Sequence, residues 1–409
     1  MISLLGSSKA PIARLADTVA GFFVPAVMGI ALIAAIVWAL VGKDFQFVLS
    51  IFISVLVISC PCALGLATPV AIMAGTGVAA EHGILFRNGA ALEHTSKVTA
   101  VVFDKTGTIT LGKPTISDIV SDIPENELLS LAAACERQSE HLLGNAIFNH
   151  AEEKGIDIPE SSEFEYIIGS GVSALVDGRR IFVGNRDFAK NPERFIELSE
   201  KFSEEGKTSL FISDESTTFG IIALSDVPKP EAMSAVNELH SRGIEVYMLT
   251  GDNSRCAAAI ARSVGISNVI SEIKPQGKAD EIAKLKAQGF RVCMVGDGIN
   301  DAPALASADV SVTLSSGTDI AAEASDIILI KNDLRDIPKA ITLSHAVTRN
   351  IKQNLFWAFA YNAIGIPVAA GVLYALGGPL LSPMFGAAAM SLSSVSVVTN
   401  ALRLTKMKF

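Results

Sequence analysis

Asp104-Lys105-Thr106-Gly107-Thr108 follows Val98–Phe103, an apolar run rich in β-branched residues of the kind that a buried parallel strand needs. In an open α/β sheet, chemistry gathers at the carboxyl ends of the strands, so we expect Asp104 to lie at such an end. A carboxylate there can act as a nucleophile toward phosphorus, and Gly107 lets the backbone approach phosphate oxygens. The dipeptide Asp-Lys alone would indicate no more than a polar turn. The full string is much rarer and predicts a phosphoryl acceptor.

The composition indicates apolar membrane blocks joined to a soluble block. Of the 409 residues, 50% are hydrophobic, yet 18% are charged. The net charge of −9 argues against a nucleic-acid partner, which would need basic patches. Five cysteines without a regular framework predict a reducing, cytosolic environment and not a secreted disulfide scaffold.

Two uncharged blocks predict four membrane crossings. Residues 1–80 are interpreted as a linker and two helices, at about 19–41 and 45–80, the second broken at Pro61. Residues 353–409 are interpreted as two more helices and a C-terminal tail. The basic residues that flank the blocks are Lys9, Arg14, Lys352, Arg403, Lys406 and Lys408. By the positive-inside tendency they predict a multi-pass membrane protein with its soluble domains in the cytoplasm. We expect the membrane to be the bacterial cytoplasmic membrane.

The middle region predicts a doubly wound α/β sheet, because strand-like runs alternate with helical patterns. The strand candidates are Val98–Phe103, Ile221–Leu224, Glu245–Leu249 and Val292–Val295. Residues 119–222 lack polar motifs at strand ends and are interpreted as an inserted domain. The domain that carries Asp104 is then discontinuous, comprising residues 81–118 and 223–352.

Three further strings are expected at the same sheet edge as Asp104. They are Thr250-Gly251-Asp252 after one strand, the cation Lys278, and the carboxylates Asp297 and Asp301 after another strand. Each alone could be a turn or a solvated charge, but the ordered set is much harder to attribute to chance. The set resembles the haloacid dehalogenase superfamily, and the stretch at Asp104 resembles the phosphorylation motif of the P-type ATPases.

This resemblance implies a multi-domain membrane protein. It would combine an α-helical transmembrane bundle, an α/β haloacid-dehalogenase-like phosphorylation domain and an inserted α+β nucleotide-binding domain. Hydrolases of the superfamily usually carry a second Asp two residues after the nucleophile, where this chain has Thr106. Losing general acid–base catalysis costs a factor of roughly 10²–10⁴. We therefore expect a long-lived aspartyl phosphate.

The insertion is expected to bind ATP. Ser139-Glu140-His141, with Gly169 and Gly171, resembles the nucleotide-domain motifs of heavy-metal P-type ATPases. The resemblance implies that His141 stacks on adenine, that Glu140 accepts from its amine, and that the glycines allow close approach. The family has Pro after this His, and this chain has Leu142, which leaves the local backbone less constrained. The alternative is that Glu140 and His141 are ordinary helix-surface residues.

Cys60-Pro61-Cys62 gives the clue to the transported ion. Soft sulfur ligands select soft monovalent ions such as Cu(I) or Ag(I), and Pro61 frees a backbone carbonyl. Two buried structural cysteines would be the alternative. Other polar and thioether groups at membrane depth are Tyr361, Asn362, Met390 and Ser394. Because both blocks lack charge, the combination resembles the copper-transporting branch.

The resemblance implies a copper-translocating ATPase cycle with ATP, Mg²⁺ and Cu(I), in contact with membrane lipid and a copper chaperone. Mg²⁺ would be held by Asp104, Thr106 and Asp297. The residues with implied catalytic roles are Asp104, Lys105, Thr106, Thr250, Gly251, Asp252, Lys278 and Asp301.

The Thr-Gly-Glu loop of the family's actuator domain is absent from the sequence. We therefore expect the C-terminal part of a copper exporter, able at most to phosphorylate itself. Two alternatives remain open. One is a membrane-anchored phosphatase of the same superfamily, against which Thr106 counts, and the other is a non-catalytic metal-binding membrane protein.

Overall fold

The computed structural model describes residues 10–139, 141–167, 169–297, 301–314 and 325–407. The chain divides into two compact units. The helical unit comprises residues 1–98, 325–331 and 336–409, and the catalytic unit comprises residues 99–324 and 332–335. Residues 81–98 and 336–352, which the sequence analysis grouped with the phosphorylation domain, therefore belong to the helical unit.

The elements of both units are numbered together in chain order. The helices are α1 Pro11–Leu40, α2 Phe45–Ile58, α3 Cys62–Glu81, α4 Gly89–Thr95, α5 Glu125–Glu136, α6 Leu142–Glu153, α7 Glu193–Glu204, α8 Ala232–Ser241, α9 Ser254–Val264, α10 Lys278–Ala287, α11 Ala302–Ser307, α12 Asp336–Ala369, α13 Val372–Ala375 and α14 Pro383–Leu402. The strands are β1 Ile84–Phe86, β2 Ala100–Asp104, β3 Thr115–Ser121, β4 Ser161–Ile167, β5 Gly171–Val176, β6 Arg179–Gly184, β7 Thr208–Ser213, β8 Thr218–Ser225, β9 Glu245–Leu249, β10 Asn268–Ile270, β11 Val292–Gly296, β12 Val310–Leu314 and β13 Ile327–Leu329.

Among the described residues of the helical unit, three segments are long and apolar enough to cross a membrane. They are Pro11–Leu40, Phe45–Glu81 and Pro383–Lys406. The second of these is interrupted between α2 and α3, where Pro61 precedes the first residue of α3. Helix α12 is not among the three, so the four-crossing topology stays a prediction.

In the catalytic unit, a parallel sheet runs in the order β12-β11-β2-β9-β10. Strand β2 lies in the middle of this order and every one of its residues is buried. A strand covered on both faces must be apolar throughout, which explains the uninterrupted run before Asp104. Its Val102 packs in one cluster with Leu249, Met294, Ile282 and Leu305 from the neighbouring strands and helices.

The inserted region forms a six-stranded antiparallel sheet in the order β3-β8-β7-β6-β5-β4. Helices α5 and α6 pack against it through a buried cluster that includes Leu128, Ile147 and Val183. The assignment of Ile221–Leu224 to the parallel sheet was wrong, because these residues lie in β8 and pair with β3 and β7. Strands β3 and β8 also extend beyond the boundaries that we placed at residues 119 and 222.

Candidate active site

Three strands of the parallel sheet end at one edge and deliver the predicted side chains there. Asp104 is the last residue of β2 and is paired in register with Leu249, the last residue of β9. Thr250 therefore follows directly at the same edge. Strand β11 lies on the other side of β2 and ends one residue before Asp297. The predicted placement of Asp104 at a strand end is confirmed.

A tight turn, Lys105–Ile109, leads the chain away from Asp104. Gly107 has φ of +71°, a conformation that favours glycine, and a Cβ atom at this position would collide with the carboxylate of Asp297. The glycine therefore allows the turn to lie directly against this carboxylate. The hydroxyl of Thr108 is buried and has no hydrogen-bond partner among the described residues.

Lys278 connects two of the carboxylates. Its Nζ lies 2.6 Å from Oδ1 of Asp104 and 2.7 Å from Oδ1 of Asp301. All three side chains are buried, so the alternative of a surface lysine is excluded. Burial acts to lower the pKa of Lys278, but the two carboxylates outweigh it and the pKa is raised. Lys278 therefore carries a fixed positive charge next to Asp104.

The carboxylates of Asp104, Asp297 and Asp301 form a cluster whose oxygens lie within 4.8 Å of one another. Burial raises the pKa of Asp104, and the negative charge of Asp301 acts in the same direction. Lys278 opposes this shift but does not outweigh it, so that the pKa of Asp104 is raised to about 7. Burial and Asp301 also raise the pKa of Asp297. Three carboxylates against one lysine leave excess negative charge among hard oxygen donors, so the residues present fit Mg²⁺. Thr106 is half-buried in the adjoining turn.

Lys105 points to the neighbouring loop. It forms an ion pair with Asp252, and the two carboxylates Asp252 and Asp226 outweigh the effect of burial so that the pKa of Lys105 is raised. The backbone N–H of Asp252 donates to the hydroxyl of Thr250 across Gly251, at 3.2 Å. This loop is thereby held against the turn that follows Asp104.

Two residues that sequence reasoning missed also contact this turn. Asp226 accepts from the hydroxyl of Thr110 at 2.5 Å and from the N–H of Gly112 at 3.1 Å. The N–H of Lys229 donates to the carbonyl of Ile109 at 2.8 Å, and burial lowers the pKa of its ammonium group. The sequence signal for Asp226 and Lys229 is that these charged residues follow the apolar strand β8 directly. We did not connect them with Asp104.

Of the predicted ATP residues, Glu140 lies outside the described residues. His141 caps helix α6, since its Nδ1 accepts from the N–H of Leu143 at 3.2 Å. Burial lowers the pKa of His141, which favours a flat, uncharged ring. Leu142 is the first residue of α6, a position at which proline is also common. In this chain the side chain of His141 caps the helix and fixes the backbone that a proline would otherwise constrain.

The two predicted glycines lie at the start of β5. The carbonyl of Gly169 accepts from Nδ2 of Asn185 at 2.9 Å. Gly171 has φ of +155°, and a Cβ atom there would collide with the carbonyl of Val183. The corner is therefore restricted to glycine and is held by Asn185, which sequence reasoning did not identify.

Glu136, at the end of α5, is a further residue that sequence reasoning missed. It is buried, and its Oε2 has no hydrogen-bond partner. Burial raises its pKa to about 7, although Ser139 opposes the shift. A Cβ atom on Gly144 would collide with this oxygen. The available signal was one acidic residue at the end of the otherwise apolar run from Leu131 to Cys135.

In the helical unit, the predicted ion ligands lie on three helices that pack together. Cys62 is the first residue of α3, and Cys60 lies just before it in the break after α2. Tyr361 and Asn362 lie on α12, and Met390 and Ser394 lie on α14. Asn362 is buried and its Oδ1 accepts no hydrogen bond. Tyr361 is 41% exposed, Ser394 is half-buried, and Met390 packs against a cluster that includes Val55 and Ile58.

Cys60 and Cys62 are joined by a disulfide bond, which differs from the reduced pair that we expected. Two cysteines one residue apart across the α2–α3 break bring their sulfurs within bonding distance. In this oxidised form they offer no thiolate, so metal binding by the reduced pair stays a prediction. Cys135 and Cys256 are free and buried, and Cys293 is also buried.

Residues 98–309 match the family model of the haloacid dehalogenase-like hydrolases. This range covers the parallel sheet from Asp104 to Asp301 and the inserted antiparallel sheet. The match agrees with the fold predicted from the motifs.

The chain is 51% identical over 409 residues to a copper-exporting P-type ATPase of Staphylococcus aureus strain JH9, covering 98% of this chain and 50% of that protein. It thus spans about half the length of the curated relatives that it matches. Among solved structures, a zinc-transporting PIB-type ATPase in the E2.Pi state is 37% identical with a TM-score of 0.73, covering 94% of this chain and 62% of that one. The catalytic domain of the CPx-ATPase CopB-B is 30% identical with a TM-score of 0.53, covering 64% of this chain and 96% of that one. The chain therefore belongs to the P-type ATPase family and carries a haloacid dehalogenase-like catalytic domain.

Proposed function

We propose that this chain performs the phosphoryl transfer of a copper-exporting P-type ATPase, with Asp104 as the residue that is phosphorylated. One observation carries the proposal. Asp104 ends the central strand with a buried lysine bound to it and with two more carboxylates close enough to share a metal ion. Phosphoryl transfer needs a group that accepts the phosphoryl, a fixed positive charge and a site for a divalent ion, and few other reactions need all three in one hydrogen-bonded cluster.

In this mechanism a carboxylate oxygen of Asp104 attacks the γ-phosphorus of ATP, and the bond to the ADP oxygen breaks. Lys278 and Thr250 neutralise and position the phosphoryl oxygens, while Asp301 holds Lys278 in place. Asp104, Thr106 and Asp297 would hold Mg²⁺, which would supply charge compensation for in-line transfer. Lys105 and Asp252 hold the two loops together around the transferred group.

The aspartyl phosphate is proposed to be long-lived because Thr106 stands where a hydrolase of the superfamily carries its acid/base residue. Its removal is proposed to need an actuator domain of the kind that P-type ATPases use. Steady-state ATP hydrolysis by this chain alone should therefore be slow, although autophosphorylation should proceed. A phosphatase, by contrast, would turn over small phosphoesters rapidly.

The inserted domain is proposed to bind the adenine of ATP between α5 and α6. The neutral His141 ring supplies a stacking surface, and Gly169 and Gly171 permit close approach of the nucleotide. Glu136 is proposed to support this site from the protein interior, because its buried Oε2 lies directly against Gly144 of α6. Glu140 remains a predicted contributor that the structure does not describe.

The helical unit is proposed to carry Cu(I), or Ag(I), once Cys60 and Cys62 are reduced. Two thiolates and the thioether of Met390 are soft ligands, and the unpaired oxygen of Asn362 adds a polar group. Tyr361 and Ser394 complete the proposed set. A copper chaperone is the proposed donor, and the catalytic unit is proposed to lie in the cytoplasm of a bacterial cell, with the helices in its cytoplasmic membrane.

The test is acid-stable labelling of the purified chain with [γ-³²P]ATP and Mg²⁺. The wild type and Asp187→Asn, which removes an exposed carboxylate, should both label, and Asp104→Asn should not. Rapid release of phosphate from small phosphoesters would favour the phosphatase alternative instead. Labelling that persists in Asp104→Asn would refute the proposal.

A further inference from the structure

An open groove of about 250 Å³ lies within the helical unit, between α12 and α14. Its lining residues are Asn354, Trp357, Tyr361, Ser396, Val397 and Asn400. Trp357 is 57% exposed and Tyr361 is 41% exposed. The groove thus presents aromatic surface beside amide and hydroxyl groups.

The polar end of the groove is held by a network of asparagines. Nδ2 of Asn400 donates to Oδ1 of Asn354 at 2.8 Å, and Nδ2 of Asn354 donates to Oδ1 of Asn350 at 3.1 Å. Nδ2 of Asn350 donates to the carbonyl of Asn400 at 2.8 Å, which closes the ring. The two helices are therefore fixed to each other at this end, so the groove is preformed.

Four basic residues lie near the asparagine network, two in the middle of α12 and two just after α14, and we call them the basic rim. They are Arg349, Lys352, Arg403 and Lys406. All four are exposed, and the guanidinium group of Arg403 lies 3.4 Å from Oδ1 of Asn400 in the groove wall. Arg349 is the neighbour of Asn350 in the network. Within the part of the chain that the structure describes, none of the four forms an ion pair.

The rim also lies where a membrane surface would be. Arg403 and Lys406 end the candidate span Pro383–Lys406. Tryptophan and basic side chains concentrate at the boundary between headgroups and acyl chains. Cations within a Debye length of that boundary are each attracted to anionic lipids. The groove therefore begins at headgroup level and continues along an apolar wall.

We propose that this groove binds one anionic phospholipid, whose phosphate lies on the basic rim and whose acyl chain begins against Trp357 and Val397. Charge complementarity selects an anionic headgroup, because Arg403 contacts Asn400 of the groove wall and the rim cations form no ion pair among the described residues. The exposed aromatic wall favours a lipid over a free phosphate ion, which would leave that wall uncovered. The site is independent of phosphorylation at Asp104 and would stand if the proposed function failed.

Tryptophan fluorescence gives a direct test, since the chain contains two tryptophans, Trp38 and Trp357. The full chain with Trp38→Phe is placed in nanodiscs that contain phosphatidylglycerol or phosphatidylcholine, brominated near the headgroup at equal mole fraction. Bromine quenches a nearby indole. We expect brominated phosphatidylglycerol to quench Trp357 more strongly, and inorganic phosphate not to relieve the quenching. If Trp38→Phe does not fold, the same signal is the difference between wild type and Trp357→Phe.

The rim is tested in the same assay with Arg403→Gln combined with Lys406→Gln. Each lost cation should weaken the preference for the anionic lipid about five-fold. The control Arg186→Gln removes an exposed charge from the inserted domain and should leave the preference unchanged. Equal quenching by both lipids, or a preference that survives the rim variant, overturns the proposal. Absence of quenching by either lipid would mean that protein covers the groove, and this also overturns it.

Discussion

The Asp104 site and the helical unit differ in how their buried polar groups are paired. At the sheet edge, Lys278 is bound to Asp104 and Asp301, and Lys105 is paired with Asp252. In the helical unit, the oxygens of Asn362 and Thr68 are buried and have no hydrogen-bond partner among the described residues. The two lysines of the first region are thus paired before a ligand arrives, while the second region leaves these two neutral oxygens unpaired.

The difference follows from the charges involved. A buried ion that lacks a partner costs several kcal/mol, whereas a neutral unpaired oxygen costs about 1–3 kcal/mol. A site for phosphate and Mg²⁺ must be charged and is therefore paired in advance. A site for a soft monovalent ion can use neutral polar groups, and these groups can remain without a hydrogen-bond partner at a smaller cost in stability. The comparison predicts that single substitutions will have unlike effects in the two regions.

The largest effect is expected from Lys278→Ala, which leaves Asp104 and Asp301 as adjacent buried carboxylates. The free energy of unfolding should fall by about 3–5 kcal/mol. Labelling from ATP should fall by a factor of roughly 10²–10³, as when one preorganised charge-stabilising donor is removed. Denaturant unfolding and labelling rates measure the two losses. Lys284→Ala, on the same helix but exposed, is the control, and equal effects of the two variants would contradict the account.

Glu136 extends the comparison to a buried carboxyl group without a charged partner. Its pKa of about 7 exceeds the ordinary value of 4.5, so the folded protein favours the neutral acid. The contribution of Glu136 to stability should be greatest below pH 4.5 and should be lost as the pH rises from 4.5 through 7, by up to about 3 kcal/mol. Thermal unfolding of wild type and Glu136→Gln between pH 5 and 9 measures this. A pH dependence that is identical in the two proteins would show that Glu136 is not the cause.

Within the helical unit, two asparagines should respond differently. Asn354→Leu breaks the hydrogen bonds to Asn350 and Asn400 and should cost about 2 kcal/mol. Asn362→Leu removes an oxygen that has no partner and should be neutral or stabilising by about 1 kcal/mol, while weakening Cu(I) binding by the reduced chain. Unfolding in detergent and Cu(I) titration measure these changes. A large loss of stability in Asn362→Leu would show that its oxygen is satisfied after all.

The smallest effect is expected from Arg255→Gln. Arg255 pairs with Glu200 at 3.1 Å, but both side chains are about half exposed. Such pairs contribute about 0.5 kcal/mol or less. Denaturant unfolding should therefore barely distinguish this variant from wild type. A loss of stability comparable with that of Lys278→Ala would mean that burial does not determine how much an ion pair contributes to the stability of this protein.

The sequence predicted the Asp104 edge well because the signal there is local. An apolar run followed by a polar string marks the end of a buried strand, and β2, β9 and β11 each follow this pattern. The family and the fold class followed from the order of those strings and are confirmed. The roles of the individual residues in catalysis and in ATP and metal binding stay predictions.

The parts that sequence reasoning missed depend on contacts between distant residues. The run Ile221–Leu224 is equally suited to a parallel or an antiparallel sheet, and only its partners β3 and β7 decide. Asp226 reaches the turn after Asp104 across more than 110 residues of chain. Glu136 stands out only because packing buries it. Neither spacing nor composition encodes these relations directly.

The central claim is that the phosphoryl group of ATP is transferred to Asp104. The chain is incubated with ATP and Mg²⁺ and trapped with borohydride, which reduces an aspartyl phosphate to homoserine. Peptide mass spectrometry then locates the modified residue. The account predicts homoserine at position 104 in wild type and its loss when ATP is omitted. Homoserine at another aspartate, or at none while radiophosphate is still incorporated, would contradict it.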